Sequence, residues 1–155
     1  MGFLYESHLN LVSYIYIMEN NHYLIGSTLL FGIPLMGFFL KENKNNMEYL
    51  LSFLLLINVV CSSLFWYCPN IGSTMHYLDG YFGRLSLLLF SIYTIWLKPE
   101  GWFFKLFFIF FLLVAMLLFS YSSYYSFKEW CCDNHIFCHI WFHLFISAGC
   151  LIAFI

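Results

Sequence analysis

The chain has 155 residues, of which 63% are hydrophobic and 9% charged, with a formal net charge of −2. A soluble domain carries about 25% charged residues because its surface faces water, so this composition excludes an ordinary water-soluble globule. The few lysines are scattered and make no basic field, which excludes a nucleic-acid-binding role.

Residues 1–22 hold only half a membrane span, at 9–18, with Glu6, His8 and Glu19 around it. The positively charged lead-in of a signal peptide is missing, so this stretch is read as an interfacial segment rather than a sixth span. A helix needs roughly 20 apolar residues to cross the hydrocarbon. Runs at 23–40, 49–67, 102–119 and 136–155 meet that length, and 75–97 does so while carrying His76, Asp79 and Arg84. An unpaired backbone group costs several kcal/mol in lipid, so each run is predicted to be helical. The fold class expected is all-α: one domain, 23–155, forming a polytopic bundle of about five transmembrane helices.

Basic residues orient the bundle. Lys41 and Lys44 follow the first span, Lys98 and Lys105 flank the link from third to fourth, and Lys128 stands alone on the opposite side. The expectation is a multi-pass protein with its N-terminus outside or lumenal and its C-terminus cytoplasmic. Six cysteines are too few for a disulfide scaffold, and no spacing among them reads as a zinc finger. Cys68 and Cys131 or Cys132 share the outer side, where a disulfide could tie two loops together; free thiols are the alternative.

Ionisable residues inside spans are costly and point to function. His139 and His143 are four apart, so on a helix they share a face and can grip one metal ion; His135 extends that face into the preceding loop. Two histidines bonded to neighbours in a bundle core are the plainer reading of such a pair. The topology argues further. The second span ends outward at Ser62 and Ser63, the third begins there at His76 and Asp79, and the fifth begins there at His139 and His143. All the unusual polar groups therefore fall in one layer, near the outer third of the bilayer. Bound zinc lowers the pKa of water from about 15.7 to about 7. A nearby carboxylate then serves as general base and a hydroxyl stabilises the oxyanion. Asp79 and Ser62 suit those two catalytic roles, and a lipid amide or ester is the natural substrate inside a membrane.

The same residues resemble the superfamily of alkaline ceramidases, progestin/adipoQ receptors, GPI-remodelling proteins and myomaker-like proteins (the CREST superfamily). Its marks are a serine and a histidine late in the second helix, an aspartate in the third and His-x-x-x-His in the last. Here those blocks read Cys61-Ser-Ser-Leu-Phe-Trp-Tyr-Cys68-Pro, His76-Tyr-Leu-Asp79-Gly and His139-Ile-Trp-Phe-His143-Leu. The run from Ile33-Pro-Leu to Met47-Glu-Tyr, and Lys128-Glu-Trp130 before the final histidines, are most similar to the myomaker-like branch. The resemblance implies a shortened version of a seven-helix fold, Zn2+ held by His139 and His143, and hydrolysis of a membrane lipid.

Two departures qualify that implication. Two spans between the third and the last are missing, so either a truncated sequence or a homo-oligomer that completes the bundle would account for the shortening. The superfamily's second-helix histidine should fall near Trp66, which cannot bind zinc. Either the site is degenerate, or His76, the better choice over His135, supplies the third metal ligand. The alternative function is a non-catalytic protein of the myomaker type that remodels or fuses membranes or assembles with partners. A transporter is weaker, because one polar layer makes no continuous pathway and inverted repeats are lacking.

Overall fold

The computed structural model describes residues 22–99 and 101–155. The stretch 1–21, which covers nearly all of the expected interfacial segment, lies outside them. Among the described residues there are helices and turns and no strand. Five helices are long and apolar enough to cross a membrane: α1 His22–Leu40, α2 Asn46–Tyr67, α3 Thr74–Leu97, α4 Trp102–Lys128 and α5 Asp133–Phe154. The chain is an all-α, multi-pass integral membrane protein.

The fourth helix continues well past the apolar run, through 120–128, where the sequence predicts a loop. At 27 residues it is about 40 Å long, beyond the roughly 30 Å of a hydrocarbon core. Its last turns are serines and tyrosines suited to the membrane–water boundary. There the backbone keeps its ladder, and Ser120 and Ser126 turn their hydroxyls onto the carbonyls of Met116 and Ser123. The fifth helix begins earlier than its apolar run, with Asp133 in the first turn, where a carboxylate favours the positive end of the helix dipole. His135 is thereby drawn from the loop into the helix.

The Lys41 end of the bundle is tied tightly. Asn45 and Glu48 form a reciprocal capping box at the start of α2. Glu48 is buried, and it also accepts from Lys41 Nζ at 2.8 Å and Tyr93 Oη at 2.7 Å. Tyr93 opens a π-helical turn, Tyr93–Leu97, that finishes α3. Just beyond it the buried Lys98 donates to the Ile152 carbonyl at 2.8 Å, satisfying an acceptor that has no partner within the last turn of α5. Phe38, Phe90 and Phe154 pack edge to face beside these bonds, with centroids 5.4 and 5.7 Å apart.

A proline sets how α1 meets α5. Pro34 has no N–H to give the carbonyl of Leu30, four residues back. The helix tightens to a 3-10 turn at Leu29–Phe31, and the hydroxyl of the buried Ser147 supplies the bond to Leu30 O at 2.6 Å. A defect in one helix is thus satisfied from another, as apolar surroundings demand.

Packing is uneven around the bundle. The most extensive contacts join α4 to α5, α2 to α3 and α1 to α5. Helix α3 meets α4 and α5 chiefly through its π-helical turn. Held together at the Lys98 end, α3 and α4 diverge towards the Cys68 end, and the space left between them positions the site.

Candidate functional site

That space is a cavity of about 280 Å³ with a mostly apolar lining. Ser62 of α2, Asp79 of α3, and His139 and His143 of α5 all line it. Three separate helices therefore bring a hydroxyl, a carboxylate and two imidazoles to one compartment. Ser62 is buried, and it lines the cavity together with Asp79. On α3 the lining residues are Asp79, Gly80, Gly83, Arg84, Ser86 and Leu87, a stripe at helical spacing that turns one face of the helix to the cavity. Met116 and Phe119 of α4 close the opposite side.

The buried His143 is held by a serine the sequence reading missed. Ser27 Oγ lies 2.8 Å from His143 Nδ1 and also donates to the Leu24 carbonyl at 2.7 Å. A hydroxyl has one proton. With that proton on Leu24 O, Ser27 must accept from Nδ1–H, so the neutral imidazole keeps its lone pair on Nε2. His139 Nδ1 lies 3.2 Å from the hydroxyl of the buried Ser122 of α4, a pair in which either atom can donate. The two rings stand 4.6 Å apart, centroid to centroid. A protonated, hydrogen-bonded Nδ1 with Nε2 left over, as in His143, is the arrangement in which histidines bind metals. The signal for Ser27 was the Gly26-Ser27-Thr28 run, three small residues in an otherwise apolar span; Thr28 bonds to Ser63 at 3.0 Å.

Trp66 is buried and lies edge-on to His139, with centroids 5.1 Å apart. It stacks on Trp130 at 5.8 Å and a 19° interplanar angle. The place at which the resemblance expects a third imidazole is thus filled by indole, locked between α2 and the turn before α5.

The two histidines considered as replacements have other duties. His76 does not line the cavity; its ring stacks on Phe65 at 5.1 Å, and its Nδ1 accepts the Gly72 N–H at 3.1 Å. Cys131 has a φ of 60°, a conformation costly to a residue with a side chain, and its N–H donates to Nδ1 of the buried His135 at 3.2 Å. In both rings the Nδ1 lone pair is occupied, and Nε2 of the neutral form carries the proton. Neither offers a lone pair to a metal as it stands.

A structural zinc site closes with four ligands, and a catalytic one with three plus water. Among the described residues no group of three His, Cys, Asp or Glu side chains is gathered closely enough to hold a metal ion. His139 and His143 suit two ligand positions, and the set falls one short. The cysteines do not make up the deficit. All six are free thiols, with Cys68 exposed and Cys131 buried; burial, and then its neighbour Cys132, push the Cys131 thiol up to about 12.

Arg84 also lines the cavity. It is exposed, lies near the middle of α3, and has no carboxylate within 4.0 Å among the described residues. An arginine at the centre of a span costs about 2.5–3.5 kcal/mol even on the most lenient scale. Comparison with protein-family models, with curated proteins and with solved structures gave no match.

Proposed function

We propose that this protein binds a membrane lipid in the cavity between α3 and α4, on the plan of the lipid hydrolases its motifs resemble but with an incomplete metal site. The supporting observation is that Ser62, Asp79, His139 and His143 line a single, otherwise apolar cavity in a membrane-spanning bundle. A chamber of apolar walls with a few convergent polar groups is the usual form of a small-molecule site. Apolar walls take an acyl chain, and the polar groups take the amide, ester or hydroxyl oxygens of the lipid. Zinc, where bound, would polarise such a carbonyl. With a donor set one ligand short, the chain's own residues orient and desolvate the lipid.

A second reading, hydrolysis of the bound lipid, is favoured by Ser27. Fixing the His143 tautomer so that Nε2 faces outward is what a metal or proton-transfer site needs. A pocket that only stores a lipid has no such requirement.

The experiment is lipid and metal analysis of one preparation, the full chain purified in mild detergent and washed by repeated detergent exchange. The lipid-binding reading expects retained lipid, released on denaturation, with far less than one zinc per chain. About one zinc per chain, and turnover of a lipid amide or ester that stops with chelator, would favour hydrolysis. A preparation retaining neither lipid nor metal would overturn both.

A further inference from the structure

We propose that Arg84, with the bare helix face at Gly80 and Gly83, forms a subsite for an acidic phospholipid. The phosphate would sit on the guanidinium, and an acyl chain would lie along α3. The inference rests on the lipid-binding reading and adds the chemical class of the lipid.

Three observations carry it. First, Arg84 lies 10 residues after the start of α3 and 13 before its end. It is therefore about 15 Å along the axis from the nearer end, too deep for its side chain to reach past the helix terminus. An arginine at such depth draws water and lipid phosphates towards itself. Second, no carboxylate lies within 4.0 Å of it among the described residues, and Asp79, five residues earlier on the cavity face, does not pair with it. A lipid phosphate is the anion a bilayer can supply, and guanidinium holds phosphate through paired, charge-assisted hydrogen bonds. Third, a Cβ built at Gly80 or Gly83 would meet no atom within 4 Å. These glycines do not serve close helix packing; they leave smooth backbone facing the cavity. Because α3 and α4 diverge there, the chain can enter sideways from the membrane.

The test is photo-crosslinking of the full chain in phosphatidylcholine nanodiscs. Three probes carry the same photoreactive acyl chain: a phosphatidylglycerol, a phosphatidylcholine and a fatty acid. Labelled peptides are mapped by mass spectrometry, and folding is checked by size-exclusion chromatography. The proposal expects the phosphatidylglycerol probe to label α3 around Gly80–Leu87 and α4 around Met116–Phe119, above both other probes. Labelling should fall about tenfold in Arg84→Gln and be partly kept in Arg84→Lys, as expected for a charge-assisted contact. Gly83→Phe should reduce labelling by all probes, with Gly80→Leu as the milder form if that variant fails to fold. Equal labelling by phosphatidylglycerol and phosphatidylcholine, no change in Arg84→Gln, or labelling by the fatty acid alone would each overturn it. Cavity labelling that ignores charge and Arg84 would leave the lipid-binding reading standing. No cavity labelling by any probe would end both.

Discussion

Ser27 Oγ and His143 Nδ1 stand 2.8 Å apart although 116 residues separate them in the chain, and this contact decides which imidazole nitrogen carries the proton. Because the Ser27 proton is on Leu24 O, His143 is the Nδ1–H tautomer. Histidine-selective 15N NMR of the protein in micelles should show one ring with Nε2 unprotonated and Nδ1 protonated. Ser27→Ala should convert that ring to a mixture of tautomers while the fold persists, at a cost of about 1–3 kcal/mol for the orphaned group. An unchanged ring spectrum in Ser27→Ala would remove the serine from its orienting role.

The bond from Ser147 to the Leu30 carbonyl exists because Pro34 offers no N–H. Ser147→Ala should therefore destabilise the protein by about 1–3 kcal/mol in detergent-driven unfolding. In a Pro34→Ala background the helix regains its own donor at position 34, and the same substitution should cost less than about 0.5 kcal/mol. Equal costs in the two backgrounds would show that the proline is not the reason for the bond.

Thiol reactivity separates the two ends of the Trp66–Trp130 cluster. Cys68 is exposed, whereas Cys131 is fully buried with its thiol pushed up to about 12. Since the thiolate is the nucleophile, burial and the raised pKa both protect Cys131. Maleimide on the native protein at pH 8 should modify Cys68 and spare Cys131, and raising the pH from 7 to 9 should leave Cys131 protected. Rapid Cys131 modification, or a disulfide joining it to Cys68, would contradict this packing.

The parts of this architecture that depend on composition and local period are legible in the chain. Five apolar runs of about span length demand helices whatever their neighbours, and His139 with His143 must share a face. Ser62, Asp79 and the imidazole pair fall at the same end of their spans, and the four side chains do line one cavity. What the chain conceals depends on register between helices. Nothing local to Ser27 announces a partner 116 residues away, and nothing local to Trp66 places it against Trp130. The extension of α4 through 120–128 is hidden because serine and tyrosine read as loop by hydropathy. At a membrane boundary they are comfortable in a helix. Arg84 and the two glycines were visible, but their common face on the cavity required the divergence of α3 from α4.

Trp66 stands beside His139, ring centroids 5.1 Å apart, where the proposed site lacks a third imidazole. The most direct measurement is zinc content, by mass spectrometry of the metal, in the unaltered protein and in Trp66→His, both purified without chelator. With Ser27 and Ser122 already holding the rings of His143 and His139, the added imidazole should raise binding from below about 0.1 zinc per chain to about one, a three-histidine site. The gain should vanish when His139 and His143 are both changed to alanine. A full equivalent of zinc in the unaltered protein, or none in a folded Trp66→His variant, would contradict the account.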